Sequence, residues 1–342
     1  VPRLTAPPNG RGGRSRTGDV LDHLVVLSPV TPTPVQPMER LAAALGLGAG
    51  RLWVKRDDLT GLGGGGNKVR KLEHLCADAL DQGCDTLVTG GGRQSNHVRM
   101  TAAAANHLGL RCSIVLGSDP PDEATGNVVL DQLLGPQFVW AGPLDYYDLE
   151  AAVLAEAGRQ RDAGHRPYAI PLGGASTVGQ LGYVRAAREL RAQLADASLV
   201  VTADGTGGTH AGLAAGLGDL DTVLGVDVGT RPDLDEVVPR EAAAAAALAG
   251  LPAPTGSCRI DHDRIGDGYG APTPDCREAL DLCARLEGLL LDPVYSGKGM
   301  AGLIAAVREG RVPRAGTIVF MATGGLPALL TPRYTEWIAD WP

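Results

Sequence analysis

The chain has 342 residues, 44% of them hydrophobic, and a formal charge of −8. That length suits two domains or one large α/β unit, and the acidic balance lacks the basic footprint of a nucleic-acid partner. No apolar run approaches the roughly 20 residues that span a bilayer, so a membrane partner is not expected either.

Residues 1–22 are rich in Gly, Pro and Arg and lack an apolar core, so they read as a flexible extension rather than a secretion signal. Beyond them, apolar β-rich runs alternate with helical patterns. Strands are expected at 52–55, 86–89, 112–116, 138–141, 168–171, 199–203, 222–228 and 317–321. Helices are expected at 67–82, 95–108, 127–134, 148–164, 177–195, 208–217, 239–249, 273–287, 298–308 and 333–340. This alternation predicts an α/β chain of parallel βαβ units with a doubly wound architecture. Cys76, Cys84, Cys112, Cys258, Cys276 and Cys283 form no CxxC pair, and the histidines form no HExxH, so no metal site is expected. Scattered thiols of this kind suit a reducing cytoplasm.

Four candidate strands end in glycine clusters: TLVTGGGRQSNH (86–97), YAIPLGGAS (168–176), LVVTADGTGGTH (199–210) and IVFMATGG (318–325). Open α/β sheets bind ligands at the carboxyl ends of their strands. Four such turns predict a ligand held by backbone from several sides. Gly205, Thr206, Gly207, Gly208 and Thr209 lie between a strand and a helix, where backbone amides and the positive helix end suit a phosphate. His210 stands where a dinucleotide fingerprint needs its third glycine, which favours one phosphate over a pyrophosphate. A tight strand–helix turn would need no ligand at all. Arg93, Gln94, Ser95, Asn96 and His97 form a polar row at a helix start. Capping explains Ser95 alone; the whole row suits a substrate carboxylate or a ring oxygen.

The stretch Gly63–Glu73, GGGGNKVRKLE, places Lys68 directly after a costly run of glycines. It is not a P-loop, because Asn67 and Val69 flank the lysine where glycine and Ser or Thr are required. Lys71 shares a helix face with Lys68. Tyr269 lies in GDGYG and Tyr295 in LDPVYSGKG; both could equally fill surface loops.

Taken in order, GGNKVRKLE, GGRQSNHVRMTAAAA, PLGGAS, GTGGTHAGL, GYG, LDPVYSGK and ATGG resemble the D-cysteine desulfhydrase and aminocyclopropane-carboxylate deaminase family. Its members are pyridoxal-phosphate enzymes of the tryptophan synthase β fold type. The resemblance runs from about Leu27 to about Leu330. It implies two doubly wound parallel-sheet domains, fold type II, with the cofactor in the cleft between a large domain (23–65 and 172–342) and a small one (66–171). It implies that Lys68 forms the Schiff base with pyridoxal 5'-phosphate and moves the α-proton, and that Lys71 and Gly205–Thr209 meet the phosphate. A cation at Lys71 would also lower the Lys68 pKa. Asn96 would bond the ring hydroxyl oxygen. Ser95, with Gln94, Asn96 and His97 nearby, would hold the substrate carboxylate, and Tyr269 and Tyr295 would flank the substrate and handle protons. A homodimer is implied as well.

Two positions separate the branches. Deaminases carry glutamate after the second tyrosine and leucine before the paired glycines; this chain has Ser296 and Thr323, expected at the cofactor ring. The implied reaction is β-elimination from D-cysteine to pyruvate, sulfide and ammonia. L-cysteate, L-cysteine or an S-substituted cysteine as substrate remains open on the sequence; Ser296 and Thr323 disfavour the deaminase reaction, and Lys68, Ser95, Tyr269 and Tyr295 together argue against a non-catalytic cofactor-binding protein or nucleotide-binding regulator. The chain departs from the family pattern at Asp204, at Asp263–Arg264, at Ala322 and in its arginine-rich start.

Overall fold

A computed structural model describes residues 19–339; of the expected extension, residues 1–18 lie outside the described residues. The remainder is packed rather than extended. Asp19 caps a 3₁₀ turn at Val20–Asp22, Leu21 is buried with Leu181 and Val184, and Arg188 donates to Asp19 Oδ2 at 2.8 Å.

The strands are β1 (Val35–Pro37), β2 (Leu52–Lys55), β3 (Thr86–Gly91), β4 (Arg111–Leu116), β5 (Gln137–Trp140), β6 (Pro167–Ala169), β7 (Ala197–Asp204), β8 (Val223–Asp227), β9 (Arg259–Asp261) and β10 (Thr317–Met321). The helices are α1 (Glu39–Ala44), α2 (Lys68–Asp81), α3 (Asn96–Leu108), α4 (Asn127–Leu134), α5 (Tyr146–Asp162), α6 (Thr177–Gln193), α7 (Gly208–Leu217), α8 (Leu234–Leu248), α9 (Pro274–Leu282), α10 (Ser296–Arg308), α11 (Leu326–Leu329) and α12 (Pro332–Ala339). They build a six-stranded sheet, ordered β1-β2-β10-β7-β8-β9, and a four-stranded sheet, ordered β5-β4-β3-β6. Every pairing is parallel except β1 with β2.

Side-chain alternation explains why both faces of each sheet are covered. In the larger sheet Leu199, Val201, Leu224, Val226, Ile318 and Phe320 pack on one face against Leu280, Met300 and Leu303 of α9 and α10. Val200, Val223, Val319 and Met321 pack on the other against Tyr183, Leu213 and Val238 of α6, α7 and α8. In the smaller sheet Leu87 meets Leu72, Leu75 and Met100 of α2 and α3, while Val88 and Val115 meet Val153 and Ala157 of α5.

Four elements were not expected from the sequence: β1, β9, α1 and α11. Each is too short, at three to six residues, to display a period. Helix α8 begins at Leu234 and carries Pro239 inside it, so the proline expected to start the helix sits beyond its first turn. The helix expected over 273–287 ends as α at Leu282 and continues as a π turn, Cys283–Glu287, closed by Gly288 at φ 63°. Strands β3 and β6 of one sheet and β7 and β10 of the other deliver their glycine turns to a common gap.

Candidate active site

That gap is a cavity of about 400 Å³, a size suited to a cofactor with a small substrate. Its walls include Lys68, Gly90–Gly92, Gly173, Gly205–Thr209, Tyr295 and Gly324. The chain contains four lysines, Lys55, Lys68, Lys71 and Lys298. Three are fully buried and engaged. Lys55 pairs with Glu189, Lys298 donates to the Ile265 carbonyl at 2.7 Å, and Lys71 donates to Gly173 O at 3.3 Å. Lys68, at the first position of α2, is the lysine on the cavity wall, its Nζ also reaching Gly173 O at 3.4 Å. Burial lowers its amine to about 8, so a neutral amine is accessible near physiological pH. The sequence reading assigned that shift to Lys71; burial is the cause, and the Lys68 charge instead adds to the lowering of Lys71.

The glycine run serves a different purpose from the expected approach to a flat ligand. Gly63, Gly64, Gly65 and Gly66 all have positive φ, at 55°, 91°, 79° and 135°, where side chains are strained. A Cβ on Gly65 would collide with the Asp58 carbonyl, and one on Gly66 would approach the Thr323 carbonyl at 3.2 Å. None of the four lines the cavity. They fold the loop back so that Asn67 and Lys68 enter the cavity together. Asn67 Nδ2 then donates to Thr209 Oγ1 at 3.1 Å, tying α2 to the opposite wall.

On that wall, Asp204 ends β7 and Gly207 turns the chain at φ 79° into α7. A Cβ on Gly207 would meet Val238 at 2.8 Å, and one on Gly208 would meet Lys71 Nζ at 2.9 Å. Glycine is therefore required at 207, the first N–H groups of α7 have no helical partner, and a lysine stands behind them. Asp204 and His210, two departures from simpler motifs, are partners: His210 Nδ1 lies 2.7 Å from Asp204 Oδ2, both fully buried. The acid beside the loop is thus engaged by the histidine that replaces a fingerprint glycine.

At the start of α3, Ser95 Oγ accepts the Val98 N–H at 3.3 Å and lines the cavity with Asn96 and His97. Asn96 Oδ1 is occupied by Asn127 Nδ2 at 2.9 Å. His97 Nε2 lies 3.0 Å from Thr89 Oγ1, whose own proton goes to the Ile170 carbonyl. His97 must therefore donate from Nε2, leaving Nδ1 a bare, buried acceptor. Burial and the charges of Lys68 and Lys71 hold its pKa far below the usual range. Gln94 does not reach the cavity. Its Nε2 donates to Thr125 O at 3.0 Å and its Oε1 accepts the Asn127 N–H at 2.8 Å, so it braces a neighbouring loop instead of meeting a carboxylate.

Tyr269 and Tyr295 both line the cavity, their hydroxyls in direct contact and their rings edge-to-face at 5.9 Å. Burial raises Tyr269 to about 12 and holds Tyr295 well above the usual phenol range. Both phenols are protonated at neutral pH, and either can be the donor in their contact. Tyr334 steadies this loop by donating to Gly270 O at 2.6 Å. Thr323 lines the cavity, but Ser296 does not. The Ser296 hydroxyl donates to Asp292 Oδ1 at 2.6 Å and accepts the Asp292 N–H at 2.9 Å, which turns it into the protein. Arg264, beside Asp263, is ion-paired with Asp261 and Asp275.

A family model described as pyridoxal-phosphate dependent enzyme matches residues 26–324. The chain belongs to the pyridoxal-phosphate dependent enzymes. Pyridoxal phosphate is therefore its cofactor. The chain is 44% identical over 310 residues to a D-cysteine desulfhydrase of Salmonella choleraesuis (strain SC-B67), covering 87% of this chain and 93% of the relative. Among solved structures it is similar to an ACC deaminase homologue, with a TM-score of 0.85 and 34% identity over 94% of this chain and 98% of the other. It also shares the fold of threonine deaminase isoform 2 from Solanum lycopersicum, with a TM-score of 0.66 and 18% identity over 99% of this chain and 97% of that one.

The residues present fit this cofactor. The Gly- and Thr-built loop at 205–209, with Lys71 behind it, suits the phosphate dianion. Lys68 offers the cavity's amine, and Asn96, whose Oδ1 is taken by Asn127, lines the same space. Sequence reasoning missed the supporting side chains. Asp292 and Arg99 lie inside the quoted motifs LDPVYSGK and GGRQSNHVRMTAAAA but were given no role there, and Asn127 belongs to no motif.

Proposed function

We propose that this enzyme catalyses β-elimination from a small sulfur amino acid, D-cysteine in the first instance. One water is consumed and pyruvate, sulfide and ammonia are released. The observation that carries this reading is the 44% identity with a D-cysteine desulfhydrase over 87% of the chain. When bound, pyridoxal phosphate supplies an aldehyde that joins an amine and a conjugated ring that draws electrons from the α-carbon. The chain supplies the rest. Lys68 anchors the cofactor and accepts the α-proton at Nζ, a role supported by its lowered pKa. Ser95 and the free N–H groups at the start of α3 hold the substrate carboxylate. The Tyr269–Tyr295 pair has a phenol proton for the departing sulfur.

Two features weigh against the other readings. A sulfonate leaving group, as in cysteate, calls for a cation, yet among the described residues Lys68 is the only lysine or arginine on the cavity wall. Ser296 follows Tyr295 where deaminases carry glutamate, and its hydroxyl is held by Asp292. The cavity is read as a cleft between domains 23–65 with 172–342 and 66–171, a division supported by the strand membership of the two sheets. No helix among the described residues is long and apolar enough to cross a membrane. Six free cysteines are in keeping with the cytoplasm, and the family resemblance implies a homodimer, which light scattering would weigh directly.

A panel of D- and L-cysteine, L-cysteate and aminocyclopropane carboxylate, assayed for keto acid and sulfide, tests the reading. D-cysteine is expected to give equal amounts of pyruvate and sulfide. Turnover of aminocyclopropane carboxylate or cysteate, with none of D-cysteine, would overturn it.

A further inference from the structure

An arginine and an asparagine that do not touch the cavity decide which end of the Asn96 amide faces it. Arg99 is fully buried on α3 and can only donate hydrogen bonds. Its Nε donates to Asn127 Oδ1 at 2.8 Å, which identifies that atom as oxygen. Asn127 must then present Nδ2 on its other side, where it donates to Gln94 O at 2.8 Å and to Asn96 Oδ1 at 2.9 Å. Arg99 Nη2 adds a second donor to Asn96 Oδ1 at 3.3 Å. With its oxygen held from behind, Asn96 has its NH₂ end left for the cavity. An Asn96 amide flipped the other way would set its NH₂ group against two donors, Asn127 Nδ2 and Arg99 Nη2, and forfeit both hydrogen bonds. Arg99 also donates to the carbonyls of Gly63 and Gly65, so the same guanidinium fixes the loop that delivers Lys68.

We propose that Arg99 and Asn127 are positioning residues that hold Asn96 as a hydrogen-bond donor to the cofactor's ring oxygen while fixing the loop before Lys68. This rests on the reading that Asn96 meets that oxygen. A donor there favours the ionised ring hydroxyl; an acceptor would oppose it.

The test compares Asn127→Asp, Asn127→Ser and Asn96→Ala with the unaltered enzyme. Asn127→Asp keeps shape and the partner of Arg99 Nε but replaces the donor to Asn96 with an acceptor. Asn127→Ser removes that donor without adding charge and decides the matter should Asn127→Asp not fold, which the melting curve of the cofactor-free protein reveals. Readouts are the dissociation constant for pyridoxal phosphate and the pH dependence of the bound cofactor's visible absorption. The Asn127 variants are expected to weaken binding about tenfold, the effect of one strong hydrogen bond, and to move the pH profile in the same direction as Asn96→Ala. If Asn96→Ala moves both readouts while both Asn127 variants match the unaltered enzyme, the positioning role is wrong. If Asn96→Ala itself changes neither, the reading of Asn96 fails and the proposal with it.

Discussion

In the proposed reaction the chemistry turns on Lys68, and its usefulness follows from where its amine sits. A lysine in water is almost wholly charged at pH 7, whereas burial brings Lys68 to about 8. Below that value the amine is protonated and unreactive; above it the neutral nucleophile dominates. In the cofactor-free protein, reductive methylation of Lys68, followed by peptide mass mapping, should therefore rise to half its maximum near pH 8. A midpoint near the ordinary lysine value of 10.4 would show that the site does not lower it. Residue identities at the cavity were largely legible from motifs: Lys68, Ser95, Asn96, Tyr269 and Tyr295 all reach it. Orientation was not. Gln94 and Ser296 sit in the expected motifs, yet their polar groups are committed to Asn127 and Asp292. A motif gives a position along the chain, while direction depends on partners brought in by the fold.

At the scale of elements, the proposed phosphate loop depends on contacts one strand away. Asp204 and His210 brace the β7–α7 turn, and strand β8 passes directly beside them at Gly225. A Cβ on Gly225 would collide with Asp204 Oδ2 and lie 2.6 Å from His210 Nδ1. Gly225→Ala should destabilise the protein by roughly 1–3 kcal/mol through overpacking, measured by denaturant unfolding. It should also weaken pyridoxal phosphate binding more than binding of pyridoxal, which lacks the phosphate. Equal weakening of the two would mean the pair does not serve the loop. The sequence anticipated the turn because strand, glycines and helix are local. It could not anticipate the pairing, because the glycine that makes room for it lies on a separate strand. The same distinction explains β1 and β9: three-residue strands carry no usable period, and a neighbouring strand is what makes them strands.

The whole molecule brings two parallel sheets together so that four strand ends face one cavity, and cross-connections hold the arrangement. Asn67 reaches Thr209, Arg70 on α2 pairs with Asp57 at 2.8 Å and with Glu189 on α6 at 2.9 Å, and Arg231 lies over the Tyr146 ring at 4.8 Å. The architecture was legible because strand–helix alternation extends over most of the chain; which lysine faces the gap follows from the packing of the others. With four lysines in the chain, covalent attachment of the cofactor can be located without ambiguity. The holoenzyme should be reduced with borohydride, digested and mapped by mass spectrometry. One pyridoxyl group per chain on the peptide containing Lys68, and none on those containing Lys55 or Lys298, is the predicted result, with fragmentation assigning it to Lys68 rather than Lys71. Attachment at any other lysine, or no attachment at all, would contradict the account.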